Sequence, residues 1–263
     1  MKIYVHIGTH KTGTKSIQWF LTEHAEQLAL EGLLVPKAGT MKQIPGHHRL
    51  GRDLVPGPCP DNVVEDGEGM LEALLAELRT STAHTAVISS ERFHHLLDAP
   101  ENLRAMEEVL RKEGHTLEYL MFARKADGFA KSLYWQLSVR SGMPWSFSRF
   151  VVHALVRGRI RWKGYLYHFN LRRYQQVWQA ISGFPLHVFS YDEAAAGDGV
   201  VPIFLRIVGA SETLQAVGRA AKVRNRGKIL MAPASQRLAS MLLRARFTPP
   251  VYAPIPGAAG QDR

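Results

Sequence analysis

Two lysines and several hydroxyl residues surround a pair of glycines near the start of the chain. In the segment GTHKTGTKS, Gly8 and Gly13 enclose Lys11, and Lys15 follows shortly after them. The backbone N–H groups of such a loop converge on an anion, and a lysine adds a full positive charge beside it. The segment therefore predicts a phosphate-binding loop in which Lys11 and Lys15 face the anion.

The elements on either side of this loop are those that such a site needs. Ile3, Val5 and Ile7 alternate with polar residues, which predicts a buried strand over residues 2–7. From Thr14 onward the apolar residues follow helical spacing. The helix N-terminus then contributes roughly half a positive charge to the site.

The loop differs from a Walker-type nucleotide loop, whose pattern is G-x-x-x-x-G-K-[ST]. Thr14 follows Gly13 here, so the Lys15-Ser16 pair comes one position late. One residue on a helix rotates a side chain by about 100° and raises it by about 1.5 Å, so Lys15 does not reach the Walker lysine position. Lys11, inside the loop, is better placed to act on a bound phosphate.

A lysine followed by Thr-Gly-Thr resembles the 5′-phosphosulfate loop of sulfotransferases, Pro-Lys-[Ser/Thr]-Gly-Thr-[Thr/Ser]. The other half of that family's signature is a strand ending in Arg, a Ser eight residues later and often a Tyr two residues beyond. Arg124, Ser132 and Tyr134 match this spacing. A third region is also similar to the family, in residues 174–192 with Phe204-Leu205 and Gly209.

The resemblance spans residues 3–226 in these three blocks, with some departures. His10 replaces the usual Pro, Lys15 replaces a hydroxyl residue, and Ala126 stands where Pro is common. The RKG segment found near the family's C-terminus is loosely matched by Arg226 and the two residues after it.

The resemblance implies a sulfotransferase that uses 3′-phosphoadenosine 5′-phosphosulfate as the sulfuryl donor. It implies that Lys11 neutralises the departing phosphate oxygen and that Arg124 and Ser132 hold the 3′-phosphate. The residues expected to bind the donor are His10, Lys11, Thr12, Gly13, Thr14, Lys15, Ser16, Arg124, Ser132 and Arg226. No His, Asp or Glu group has metal-ligand spacing, so a metal-independent transfer is expected.

Attack by an acceptor hydroxyl also calls for a base, and Glu91 follows a predicted strand over residues 85–89. Glu91 is thus the candidate base, and a structural ion pair with Arg92 or another arginine of the cleft is an equally weighted alternative. His10, His94 and His95 are weaker candidates, because the two adjacent histidines have no evident carboxylate partner. Large aromatic residues at helical spacing are usually core, so Trp135, Trp145 and Trp162 receive no role.

Predicted strands alternate with predicted helices along the chain. This order predicts a single α/β domain with a mainly parallel central sheet flanked by helices, similar to P-loop nucleotide hydrolases, over residues 1–248, and a flexible tail over 249–263. Residues 37–62 are predicted to be a long loop at the substrate rim, and Asp127 is predicted to cap a helix. Residues 147–156 and 165–181 are predicted to be helical.

The formal charge of +10 on 263 residues indicates an anionic partner. The basic clusters at 157–163 and 222–228 are not interleaved with aromatic residues, so nucleic acid is not expected. With one cysteine, Cys59, and with no long apolar run or leader pattern, we expect a cytoplasmic protein without a membrane span. The acceptor, a glycan, lipid or small molecule, is not encoded in a readable motif.

Two other functions fit parts of the pattern. A P-loop kinase-like nucleotide phosphotransferase shares the strand, loop and helix but requires the Walker lysine and a magnesium-binding acid. A non-catalytic polyanion-binding protein requires only the positive charge.

Overall fold

The side chains of residues 3–7 alternate between two buried layers of the interior. Ile3, Val5 and Ile7 pack on one face of the sheet, and Tyr4 packs on the other. Since side chains of a strand point to opposite faces in turn, each strand contributes to both layers. The computed structural model describes residues 1–9, 11–41, 43–55, 68–221 and 234–256.

The elements of these described residues follow in chain order. The strands are β1 (Lys2–Ile7), β2 (Leu33–Leu34), β3 (Thr85–Ser90), β4 (Thr116–Ala123), β5 (Arg159–Trp162), β6 (Tyr165–His168) and β7 (Leu186–Ser190). The helices are α1 (Thr14–Glu23), α2 (Ala25–Leu30), α3 (His48–Leu54), α4 (Met70–Thr80), α5 (Pro100–Lys112), α6 (Ala126–Val139), α7 (Phe147–Arg157), α8 (Leu171–Ile181), α9 (Tyr191–Ala196), α10 (Val200–Val208), α11 (Glu212–Ala220) and α12 (Ala234–Arg246), with a 3-10 helix at Glu91–Asp98.

Five strands form one parallel sheet in the order β2-β3-β1-β4-β7. The first layer of side chains includes residues of α3, α4, α5 and α8, and the second includes residues of α1, α2, α10 and α11. The predicted α/β fold with a parallel sheet between helices is confirmed. Because β1 lies between β3 and β4, the segments that follow these three strands meet at one edge of the sheet.

A third apolar cluster lies outside the sheet and joins α6, α7, α12 and the β5–β6 pair. β5 and β6 are antiparallel, with Trp162 opposite Tyr165. The two residues between them, Lys163 and Gly164, have φ values of 46° and 84°, as a tight two-residue hairpin turn requires. The prediction that helix begins at 165 is therefore wrong, since residues 165–168 form β6.

Two other predictions are corrected. Part of the predicted 37–62 loop is α3, which packs its buried Leu50 and Leu54 into the first layer. Asp127 is not a helix cap: α6 begins at Ala126, and the Asp127 carboxylate accepts a hydrogen bond from Arg244 Nη2 at 2.6 Å. The Asp127 side chain therefore makes a long-range contact with α12 in place of a local capping bond.

Part of the predicted flexible tail lies against the sheet, where Ala253 N–H donates to the Val188 carbonyl at 2.7 Å and Tyr252 bridges to the same residue. Several predictions fall outside the described residues. These concern His10, Cys59, the 222–228 cluster with Arg226, residues 56–62 of the predicted loop and residues 257–263 of the tail.

Candidate functional site

The phosphate loop, residues 8–14, is held by its own hydroxyl groups at the carboxyl end of β1. Thr9 Oγ1 donates to the Phe122 carbonyl of β4 at 2.6 Å. Thr12 and Thr14 donate their hydroxyls to the Thr9 carbonyl, at 2.8 and 3.2 Å. Because Thr9, Thr12 and Thr14 are buried, these bonds are shielded from water and fix the loop before a ligand arrives.

Two glycines let the loop pass close to its neighbours. Gly13 caps α1 with a φ of 79°, in the left-handed region that favours glycine, and a Cβ there would lie 3.3 Å from Val200. A Cβ on Gly8 would lie 2.5 Å from Thr14 Cγ2 and 3.0 Å from Glu91 Cγ. The loop, the start of α1 and Glu91 are thus packed against one another.

Lys11 stands in the loop with a positive φ of 68°. Burial lowers the pKa of its ammonium, and the positive charge of Arg140 lowers it further, while the Glu91 carboxylate opposes the shift. Lys15 is exposed on the first turn of α1, and Ser16 N–H donates to the Gly13 carbonyl at 2.9 Å. The structure therefore gives the two lysines different surroundings, with only Lys11 half-buried in the loop.

Arg124 follows β4, the neighbour of β1. Its Nε lies 3.7 Å from Asp192 Oδ1, and its guanidinium carbon lies 5.3 Å from the centre of the Tyr191 ring. The buried Nε makes no hydrogen bond within the described part of the chain, so its contact with Asp192 is an ion pair without a hydrogen bond.

Ser132 lies on the same side of α6 as the Arg124 side chain. A Cβ on Gly128 would lie 2.9 Å from Arg124 Nε, so the guanidinium covers the helix at Gly128. Ser132 is four residues further along and therefore shares that face. The structure brings Arg124 and Ser132 to one side of α6, while Tyr134 turns away and donates to the Trp145 carbonyl at 2.9 Å.

The sequence analysis gave Trp135 no role, and the structure places this residue beside Lys11. Its side chain is 44% exposed, and the Lys11 Nζ lies 5.7 Å from its ring centre. Arg140, just after α6, places its guanidinium 5.8 Å from the same ring. The spacing from Ser132 to Trp135, three residues on a helix, was the available sign that both share a face.

Glu91 begins the 3-10 helix directly after β3. Its neighbour Arg92 donates to Tyr165 Oη at 2.5 Å and to the Val55 carbonyl at 2.7 Å, so that guanidinium is directed at the hairpin and at the end of α3. Burial lowers the pKa of both Lys11 and His48, and the Glu91 carboxylate opposes that shift at each of them. Glu91 therefore lies between the phosphate loop and α3.

His48, at the start of α3, is a second residue that the sequence did not indicate. Burial lowers the pKa of its imidazole, against the pull of Glu91. Its Nε2 lies 3.0 Å from the Pro45 carbonyl and its Nδ1 lies 3.4 Å from Ser90 Oγ. Because a carbonyl only accepts, Nε2 carries the proton, and Nδ1 is left as an acceptor for the Ser90 hydroxyl.

The two adjacent histidines are packed in the interior. His94 stacks on Tyr174 with ring centres 4.6 Å apart. His95 Nδ1 lies 3.6 Å from Asp98 Oδ2, so the expectation that this pair lacks a carboxylate partner is wrong for His95. Both side chains are about 3% exposed, which separates them from the cleft.

Within the residues that the structure describes, no group of three or more His, Cys, Asp or Glu side chains is arranged to hold a metal ion. None of the described helices combines the length and the apolar character needed to cross a membrane.

Comparison with known proteins places the fold. No protein-family model and no curated protein matches the chain. A crystal structure of a sulfotransferase from Alicyclobacillus acidocaldarius is similar with a TM-score of 0.54 and 16% identity, over 92% of this chain and 90% of that chain. A structure of the PezAT chromosomal toxin–antitoxin system of Streptococcus pneumoniae is similar with a TM-score of only 0.34 and 12% identity, over 84% and 86% of the two chains, and carries no argument. The chain thus shares the overall fold of that crystal structure.

Proposed function

We propose that the protein is a sulfotransferase that moves a sulfuryl group from 3′-phosphoadenosine 5′-phosphosulfate to a hydroxyl or amine of an acceptor. One observation carries the proposal. The phosphate loop with Lys11 follows β1, and Arg124 follows the adjacent parallel strand β4. Neighbouring strands lie about 4.8 Å apart, so the two cationic groups suit a nucleotide with phosphates at its 5′ and 3′ positions.

The chemistry assigned to each residue follows from its surroundings. An acceptor oxygen attacks sulfur, the bond from sulfur to the 5′-phosphate oxygen breaks, and adenosine 3′,5′-bisphosphate leaves. Lys11 neutralises the charge that builds on the departing oxygen. Backbone N–H groups at the start of α1, which have no helical partners, stabilise the 5′-phosphate.

Glu91 takes the acceptor proton in this proposal. Its support is the close packing of Glu91 Cγ against the position of Gly8, beside the phosphate loop. A general base must lie within reach of the attacking hydroxyl, and the position of the Glu91 carboxylate at this strand end supports that role.

Calorimetry with adenosine 3′,5′-bisphosphate in a metal chelator tests the proposal. We expect binding by the wild type and a loss of about 10- to 100-fold with Arg124→Ala, since a hydrogen bond to a charged group contributes about 1.5–3 kcal/mol. Arg111→Ala is the matched control, because that exposed arginine lies at the end of α5, before the amino end of β4.

The same titrations separate the alternatives. ATP binding that requires magnesium and Lys15, with no binding of the bisphosphate, contradicts the proposal and indicates a kinase-like phosphotransferase. Binding of the bisphosphate that falls equally with Arg124→Ala and Arg111→Ala indicates general attraction between charges.

A further inference from the structure

One long segment of the chain is basic throughout. Residues 128–191 contain nine Lys or Arg and no Asp or Glu, although the protein has 23 acidic residues in total. An even distribution would place roughly six acidic residues there. We call residues 128–191 the acid-free segment. It forms most of α6, all of α7 and α8, the hairpin and β7.

The acid-free segment borders the site directly. Trp135 and Arg140 belong to it, and their contacts reach Lys11 across the indole ring. Among the charged groups that act on Lys11, Arg140 has the largest effect on its pKa, ahead of Glu91, Lys15 and Arg124. Arg140 is exposed, and within the described residues no carboxylate pairs with its guanidinium.

The same combination of cation and indole recurs further along the segment. The Arg149 guanidinium lies 5.0 Å from the centre of the Trp145 ring. Arg159 and Arg161 are exposed on β5 on either side of the buried Ile160, so both point outward from the hairpin. The hairpin in turn is tied to the residue after Glu91 by the bond from Arg92 to Tyr165.

We propose that Trp135 and Arg140 form an acceptor subsite beside Lys11 and that it takes an acidic saccharide. This inference rests on the proposed sulfotransferase function. A sugar ring has an apolar face that packs on an indole, and its carboxylate or sulfate substituents can pair with the guanidinium of Arg140, which lies 5.8 Å from the centre of the indole ring. The remaining cations of the acid-free segment attract further charged units of the same chain.

The test is calorimetry with two tetrasaccharides of equal ring number, an unsulfated chondroitin fragment carrying two carboxylates and neutral maltotetraose. We expect the wild type, saturated with adenosine 3′,5′-bisphosphate, to bind the acidic fragment and not the neutral one. Trp135→Ala weakens that binding about tenfold and Arg140→Gln about three- to fivefold. Arg140→Gln also makes the affinity less sensitive to salt, whereas Arg111→Gln changes neither quantity.

Several results overturn the inference. If both tetrasaccharides bind equally, or if neither binds, the subsite does not recognise an acidic saccharide. A hexaglutamate peptide that binds as tightly as the acidic fragment, with the same dependence on Arg140, overturns the assignment to a saccharide. Loss of bisphosphate affinity in Arg140→Gln without loss of saccharide affinity assigns Arg140 to the donor instead.

Failure of the proposed function has its own result. If the wild type does not bind the bisphosphate but still binds the acidic fragment through Trp135 and Arg140, the subsite stands and sulfuryl transfer does not. If the bisphosphate binds as expected and the acidic fragment does not, only the subsite is lost.

Discussion

The phosphate loop and the β5–β6 hairpin are stabilised in different ways. The loop is fixed by hydroxyl groups within six residues of one another and by one bond to the adjacent strand. The hairpin depends on distant partners, such as Arg92 bonded to Tyr165 and Trp162 Nε1 donating to the Ser141 carbonyl at 3.3 Å. We call the loop the donor side and the hairpin the acceptor side, after the roles proposed for them. The donor side is locally determined, whereas the acceptor side is set by tertiary contacts.

The largest expected effect separates the two lysines of the donor side. Lys11→Ala should lower turnover about 10²- to 10³-fold, because it removes a preorganised charge from the departing oxygen. Lys15→Ala, which changes an exposed residue, should lower it less than tenfold. Single-turnover transfer of labelled sulfuryl to an active acceptor measures both. A larger loss with Lys15→Ala would show that the loop works as a Walker loop.

Acid should destabilise both sides through buried histidines. Burial lowers the pKa of His47, beside β3, to about 4 and that of His168, in the hairpin, to about 4 as well. The unfolded chain binds a proton near pH 6.5, so stability from each histidine is complete above pH 6.5 and is lost as pH falls toward 4.

For the fully buried His47 this loss is about 3 kcal/mol, and for the less buried His168 it is smaller. Urea unfolding from pH 7.5 to 4.5 measures how steeply the free energy of unfolding falls with pH. His47→Asn should reduce this pH dependence more than His168→Phe. An unchanged slope in His47→Asn would contradict the assignment.

Gly13→Ala should destabilise the donor side by about 1–2 kcal/mol, since alanine is strained at a φ of 79° and its methyl group would meet Val200 at 3.3 Å. The expected fall in melting temperature is about 2–8 °C. Gly114→Ala is a matched control, because Gly114 has a φ of 77° and nothing lies within 4 Å of a Cβ there. Equal losses in both variants would mean that only the backbone angle matters.

The smallest effect is expected on the acceptor side. Tyr165→Phe should lower the free energy of unfolding by about 1 kcal/mol, since it removes the oxygen that Arg92 Nη1 contacts. Bisphosphate affinity should not change, because the hairpin does not support the phosphate loop. Thr9→Val is the matching change in the phosphate loop, and it should lower both the free energy of unfolding and the bisphosphate affinity. If calorimetry finds weaker donor binding in Tyr165→Phe, the two sides are coupled.

The contrast between local and long-range contacts also explains which features could be predicted from the sequence. The five strands of the sheet and the phosphate loop were predicted because their signals are local: alternating apolar residues, two glycines and the hydroxyls between them. The position of Lys11 relative to Gly13 followed from counting residues. The predicted roles of Lys11, Glu91, Arg124 and Ser132 remain predictions.

What the sequence did not disclose depends on long-range contacts. Asp127 looked like a cap because nothing nearby indicates that Arg244 occupies its carboxylate. α3 was not predicted because the surrounding prolines and glycines indicated a loop, and His48 was therefore not recognised either. The hairpin carried a weak local sign, the two four-residue runs RIRW and YLYH around Lys-Gly, but its basic exposed positions obscured the alternation.

The left-handed backbone at Lys11 has a consequence for engineering. A non-glycine residue in that conformation is strained by about 1 kcal/mol or more, and glycine would relieve it. A selection for heat resistance alone would thus favour glycine at position 11 and discard the ammonium that the proposed chemistry requires. In a library screened for both properties, this position should be where thermal tolerance and turnover change in opposite directions.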